Sequence, residues 1–323
     1  MTKIKPLNYI AALFLCVVLL SVLGVLLGQV KIPLEKIFDE KYLEIIKLRF
    51  YRVILAIAVG SGLSVAGVIL QSVLRNPLSE PYVLGVSSGA GLGAVIGLIF
   101  LSGMISVSLL AFAGGVLTII LVYNLARTGN KLSTENMIIS GVVVNALFSS
   151  LLMFLISSSG NAKSHSVIWW LLGNLQIFNF TQLVTVVCVI CAGILVAIVF
   201  AKELNALSLG EEEALHLGVN IERIKKILLL ISALITSVAV SVCGIIGFVG
   251  LMVPHLTRRI IGPDHRILII GSAVTGAAFL LLCDIVSRTV MVPQGLPVGV
   301  ITAFVGVPFF VCILRKTRKA YFQ

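Results

Sequence analysis

The sequence reads as an all-α polytopic membrane protein with about ten transmembrane helices, and three observations lead there. Of 323 residues, 59% are hydrophobic and only 11% are charged, against about 45–50% and about 25% in a soluble domain. The apolar residues gather into long runs, each near the roughly 20 residues that one bilayer-spanning helix needs. The basic residues collect at the ends of those runs and leave a formal net charge of +11. A soluble enzyme, a disordered chain and a secreted disulfide scaffold are excluded on composition alone. The basic excess at span ends is explained by topology and lipid headgroups rather than by nucleic acid.

Residues 8–30 form the first run, behind Lys3 and Lys5. It is longer than a secretory signal core and lacks a small-residue cleavage site, so it reads as a retained helix. Further runs fall at 53–74, 83–101, 104–125, 136–157 and 180–201. A stretch at 227–257 follows, then runs at 267–287 and 297–314. As one helix, 227–257 would be about 46 Å long, against a hydrocarbon core of about 30 Å. Gly244, Gly247 and Gly250 lie past its middle, and glycine weakens helix interiors and permits turns. The stretch therefore divides into spans at 227–243 and 247–258, giving ten. With both termini cytoplasmic, ten spans place 16 of the 24 Lys and Arg inside. Nine spans would place only 10 inside, against the positive-inside rule. The residues 31–52 are then an outside loop that holds six basic residues beside Glu35, Asp39, Glu40 and Glu44. Residues 1–323 make a single transmembrane domain with no soluble module.

Catalytic chemistry is missing from the sequence. No G-x-x-x-x-G-K-[ST] is present to hold nucleotide phosphates, and no H-E-x-x-H or zinc-spaced Cys/His set to hold a metal. The six cysteines all lie in apolar runs, Cys188 and Cys191 as a lone C-x-x-C. Asp284 is the one acid well inside a span. An intramembrane acid raises the question of a proton relay, which would make the chain a proton-coupled secondary transporter. Arg288 at i+4 offers the plainer reading, a local ion pair on one helix face.

Two segments look built for a task. In the inside segment 207–226, Gly210 can precede a short helix whose first turn is Glu211, Glu212 and Glu213. Carboxylates there oppose the positive end of the helix dipole. Ala214 and Leu217 follow, and Gly218 suits the left-handed residue that ends a helix. Asn220 suits the N-cap of a second short helix carrying Arg223, Lys225 and Lys226. Two short helices at an angle would form a rigid cytoplasmic knob between spans six and seven. In the segment 70–93, Pro77 and Pro81 fix an irregular turn. Gly85, Gly89, Gly91 and Gly93 then give a helix of small residues, suited to close packing or to leaving room for a path.

These same segments carry a family likeness. Leu48-Arg-Phe-Tyr-Arg-Val-Ile-Leu-Ala56, Arg75-Asn-Pro-Leu-x-x-Pro81, Gly244-x-Ile-x-Phe-Val-Gly-Leu-x-Val-Pro-His255-x-x-Arg258 and Asp284-Ile-Val-x-Arg288 resemble the FecCD family. That family holds permease subunits of ABC importers for iron–siderophores, haem and vitamin B12. The likeness runs the length of the chain, with one departure at Phe50-Tyr51, where the family usually has an apolar residue and proline. It implies a non-enzymatic permease in a prokaryotic cell membrane, paired with a second permease subunit, as a homo- or heterodimer. It further implies two ATP-binding subunits that use the ATP, and an extracytoplasmic substrate-binding protein. No cofactor would bind this chain directly. On the residues, the likeness makes Gly210–Lys226 the ATPase-coupling unit, with Arg223 among its charged residues, and Arg49, Arg52 and Arg288 the docking points for the binding protein. Ser133, Thr134 and Glu135 become the loop closing the cytoplasmic end of the path, and Asn76 and Leu78 a second constriction. The path lining would fall on the fifth and last spans, with Asn145, Ser149 and Ser150 as polar candidates.

Overall fold

The computed structural model describes all residues except 1–4, 31, 34–38, 102–103, 130, 160 and 322–323. Among these the chain is helical apart from one two-residue pairing. In chain order the elements are α1 (Pro6–Leu26), α2 (Glu40–Val73), α3 (Val86–Phe100), α4 (Met104–Ala126), β1 (Arg127–Thr128), β2 (Lys131–Leu132), α5 (Thr134–Ser158) and α6 (Asn161–Leu171). They continue with α7 (Phe180–Val199), α8 (Ala201–Leu209), α9 (Glu211–His216), α10 (Ile221–Cys243), α11 (Val249–Ile261), α12 (His265–Thr289) and α13 (Val298–Tyr321). Strands β1 and β2 pair antiparallel, Arg127 opposite Leu132. Among the described residues, seven helices are long and apolar enough to cross a membrane: α1, α2, most of α4, α5, α7, α10 and α12. The apolar parts of α3 and α13 are shorter.

Helix α2 is the axis, with α12, α10, α7 and α11 packed round it. Its apolar window is 78% buried, against 11% for α1 and 17% for α5. The approach of α12 and α11 is close because small residues meet there. A Cβ on Gly60 would lie 2.3 Å from the Gly276 carbonyl oxygen, and one on Gly67 would lie 1.9 Å from that of Gly250. Without a hydrophobic driving force between helices in lipid, such contact is the main cohesion available. The core divides along α2. One apolar cluster surrounds Val65–Leu74 with residues of α8, α9 and the start of α10. The other surrounds Tyr51–Ala66 with residues of α7, α11 and α12.

The break expected within 227–257 is present: α10 ends at Cys243 and α11 begins at Val249. Gly244 supplies a positive φ of 68°, and Phe248 adopts φ 68° as N-cap of α11. Three expectations need correction. The outside loop ends early, because α2 begins at Glu40 and continues without a break for 34 residues, about 51 Å. No proline or glycine interrupts 40–59. At the departure from the family pattern, Tyr51 stays helical, is 8% exposed and stacks on Phe180 at 5.7 Å. Secondly, the sixth span bends at Phe200 and continues as α8. The short helix starting at Asn220 is the first part of α10 itself, since nothing breaks it before Cys243. The angle is therefore made by α8 and α9, which meet at Gly210 (φ 147°). Thirdly, α6 lies in a segment with no expected element; its apolar run is too short to signal a span.

Candidate functional site

Helix α9 is rooted by one residue and displayed by the rest. Ala214 is fully buried in the α2–α10 cluster, while Glu212, Glu213 and Leu217 face solvent. The helix ends as the glycine predicts. Gly218, at φ 80°, donates its N–H to Leu215 O, and Val219 donates to Ala214 O. These are the paired bonds of a Schellman termination. Asn220 then caps α10, its Oδ1 accepting from the Arg223 N–H at 3.2 Å. Leu209, Leu215 and Leu217 stand 67%, 60% and 65% exposed around this corner. Clustered apolar residues rimmed by charge on a rigid projection mark an interaction surface.

The residue before the expected gate loop is held by the first turns of α10. Ser133 caps α5, its Oγ accepting from the Asn136 N–H, with Thr134 and Glu135 in the first turn. The preceding residue, Leu132, is gripped on both backbone groups. Its N–H points between the two oxygens of Glu222 at 3.2 Å each, and its carbonyl accepts from Lys225 Nζ at 3.3 Å. Lys225 also donates to Glu211 Oε1 at 2.8 Å, and is itself only 1% exposed. Asn76 and Leu78 sit in the turn after α2, Asn76 Oδ1 accepting from the Leu78 N–H at 2.9 Å. Leu78 is exposed. Nearby, burial pushes the Glu80 carboxyl up to about 7, partly offset by the Phe248 N–H that favours its ionised form.

At the other end of α2 the three arginines converge. Arg52 Nε pairs with Asp284 Oδ1 at 2.7 Å and Arg288 Nη2 with Asp284 Oδ2 at 2.9 Å. Asp284 is fully buried. Arg288 also donates to the carbonyls of Gly24 and Leu27, and Arg49 to those of Val25, Leu26 and Val30. The carbonyls left open by the last turn of α1 are thereby satisfied by cations at the negative end of its dipole. A small cavity of about 160 Å³ opens beside Arg49, Arg52 and Arg288. The local Asp284–Arg288 pair read from the sequence is present, with Arg52 as a second partner.

The last helix borders an apolar groove of about 600 Å³, lined by Leu171 and Leu172, Ile245, Phe248, Ala303 and Phe304 among others. Helix α5 contributes nothing to its lining. Asn145 and Ser149 are half-buried on α5, and Ser150 bonds back to the Ala146 carbonyl. Beside them Val142, Val143, Leu147, Met153 and Phe154 are exposed.

The FecCD transport family model matches residues 15–316. This chain belongs to the FecCD transport family. Across 269 residues it is 40% identical to the cobalamin import system permease protein BtuC of Halobacterium salinarum, covering 83% of this chain and 72% of that protein. It is 37% identical over 280 residues to the hemin transport system permease protein HmuU of Yersinia pestis, covering 85% and 84%. A solved inward-facing structure assigned to the metal-chelate type of ABC transporter superposes with a TM-score of 0.87 at 28% identity, over 97% of this chain and 100% of that one. The FecCD chain is thus a permease and a multi-pass protein of a prokaryotic membrane. In the sequence its Lys225 reads as a cytoplasmic cation on the second short helix of the coupling unit, with no partner, and Glu222 carries no role. Their i, i+3 spacing, which puts both on one face of α10, was the available signal. The pairing of His265 with Asn205 leaves no local signal, because it joins residues 60 apart.

Proposed function

We propose that this FecCD chain is the membrane subunit of an ABC importer that moves a metal chelate into the cytoplasm. The cargo class is iron–siderophore, haem or vitamin B12. In this reading residues 1–323 form one transmembrane domain of ten spans with cytoplasmic termini. α3, α11 and α13 complete the seven longer spans. The 13-residue α11 reaches only about 20 Å and is completed by the 244–248 turn. A second permease copy or paralogue, two ATP-binding subunits and an extracytoplasmic binding protein complete the assembly. The ATP is used by the partner subunits, and no cofactor is held by this chain.

The observation that carries this reading is the α8–α9 corner. A buried root, a Schellman stop and three exposed leucines suit a knob seated in a groove of an ATPase, which closes on nucleotide and pushes the helices as rigid bodies. Glu211, Glu212, Glu213 and Arg223 would set its register by charge. Ser133, Thr134 and Glu135, with Asn76 and Leu78, would close the inner end of the path. The groove beside α13 and the exposed face of α5 would line it in the dimer. Arg49, Arg52 and Arg288 would meet acidic side chains of the binding protein, a salt-sensitive docking. The cavity they share supports that role. The proton-driven alternative has lost its residue, because Asp284 is held by two arginines.

Reconstitution of the chain with its ATP-binding subunits and binding protein in liposomes is the test. Uptake of cyanocobalamin, haemin or a ferric hydroxamate should require ATP. Glu212→Arg should abolish uptake and uncouple ATP hydrolysis while the protein remains folded in the membrane. Full uptake by that variant, or uptake by the chain alone, would refute the proposal.

A further inference from the structure

Lys225 has no packing reason to be a lysine. It is among the largest fully buried side chains of the protein, and burying an ammonium is unfavourable unless it is well paired. A methionine would fill the same space without that penalty. What the ammonium does instead is join two segments far apart in sequence. It donates to Glu211, the first residue of α9, at 2.8 Å and to the carbonyl of Leu132 at 3.3 Å. Glu222, one turn earlier on α10, accepts the Leu132 N–H. Both hydrogen-bonding groups of Leu132 are therefore fixed by α10, and the same lysine is fixed by α9. Leu132 directly precedes Ser133, which caps α5. Between α9 and α10 the chain turns at Gly218, at φ 80°. The ion pair spans that joint.

From this geometry we infer that the Glu211–Lys225–Leu132 link, steadied by Glu222, carries displacement of the α9 knob to the loop 133–135. The inference rests on the permease reading above. It assigns Lys225 and Glu222 as positioning residues for the cytoplasmic gate, a role that neither the family motifs nor the charge pattern indicates. The buried half of the link is shielded from solvent, where a pair of charges interacts more strongly and with less salt screening than on a surface. When the knob moves, Lys225 and the Leu132 peptide move with it, and the N-terminus of α5 is turned.

The test uses the complete importer in nanodiscs, in a cysteine-free background carrying Glu135→Cys as a reporter. A membrane-impermeant maleimide measures its labelling rate without nucleotide and with ATP plus vanadate. In Lys225→Met the ATP-binding subunits should still co-purify and hydrolyse ATP. The nucleotide-dependent change in labelling should shrink about fivefold or more, the lower end of a typical coupling between sites. Lys225→Arg should restore a large part of the change, which a merely space-filling residue would not. Glu211→Ala, at a carboxylate 41% exposed, tests the same link with little risk to folding and should lower the change in the same direction. A full-sized change in both Lys225→Met and Glu211→Ala would overturn the link and leave the permease reading intact. Failure of the unaltered chain to bind its ATP-binding subunits, or to change labelling with nucleotide, would overturn the permease reading itself.

Discussion

Asp284→Asn separates a structural acid from a transporting one. In the native chain the fully buried carboxylate meets Arg52 at 2.7 Å and Arg288 at 2.9 Å. Replacing it by an amide keeps the shape and one acceptor oxygen but leaves two guanidinium groups facing a neutral partner. Breaking a buried pair by removing one member costs about 3–5 kcal/mol. Two features reduce the figure here: Arg52 retains 13% side-chain exposure, and Arg288 keeps its bonds to Gly24 and Leu27. The expectation is about 3 kcal/mol for Asp284→Asn and about 5 kcal/mol for Asp284→Ala, which loses the acceptor as well. Arg52→Met added to Asp284→Asn should recover part of the loss, because it removes one of the stranded charges. Unfolding free energies from denaturing-detergent titration of the purified chain in mixed micelles measure all three. ATP-driven uptake in liposomes should fall with the folded fraction. An Asp284→Asn protein within about 0.5 kcal/mol of the native one, as for an uninvolved surface site, would refute this account. Loss of uptake in such a stable variant would return the residue to proton chemistry.

Three further outcomes follow from particular atoms. Gly218→Val forces a β-branched residue to φ 80° and should destabilise by about 1–2 kcal/mol, read as a lower melting temperature. No atom lies within 4 Å of a Cβ there, and Gly218→Asn, a residue that tolerates the left-handed region, should cost distinctly less. Gly67→Ala puts a Cβ 1.9 Å from a backbone oxygen of Gly250, so α2 and α11 must separate. A loss of about 1–3 kcal/mol or more should appear as a reduced monodisperse fraction on size-exclusion chromatography. Glu80, raised from 4.5 to about 7, binds its proton more tightly folded than unfolded. Its contribution is full below about pH 4.5 and is lost as pH rises through about 7, by about 3 kcal/mol. Glu80→Gln should flatten that part of the stability–pH curve.

Much of the architecture was legible because it rests on local signals. Apolar run length and the Lys/Arg count gave the order of the long helices, and Gly244 with Gly247 gave the α10–α11 break. Gly210, Gly218 and Asn220 marked the knob through conformations that few other residues adopt. The failures share a cause. Residues 40–52 carry enough charge to read as loop, but Arg49 is satisfied by carbonyls at the end of α1 and Arg52 by Asp284 of α12, which lie elsewhere in sequence. Helix α6 is too short for a span, and the α7–α8 bend at Phe200 has no glycine or proline to announce it. The Lys225 link and the arginine cluster depend on pairings 93 and 232 residues apart, which no local window contains.

A third polar node shows how tightly the knob's other arm is held. Asn205 on α8 has its amide orientation fixed from both sides. Its Oδ1 accepts from the His265 backbone N–H at 2.9 Å, and its Nδ2 donates to Asp264 Oδ1 at 2.8 Å. The ring Nδ1 of His265 lies 2.7 Å from the same Oδ1, so it must carry a proton. In the neutral ring Nε2 is then an acceptor, and the Ser72 hydroxyl 2.5 Å away on α2 is its donor. Ser72 Oγ also lies 2.9 Å from the Val68 carbonyl, and one hydroxyl proton cannot serve both. The ring takes it, because the buried nitrogen has no other partner whereas the Val68 carbonyl retains its place in the helix ladder. Helix α8 is thus fastened to the start of α12 through Asn205, and through the His265 ring to Ser72 of α2. A push on the α8–α9 corner therefore meets a helix already tied into the bundle on one side, and on the other side α9 is tied to α10 by the Glu211–Lys225 pair.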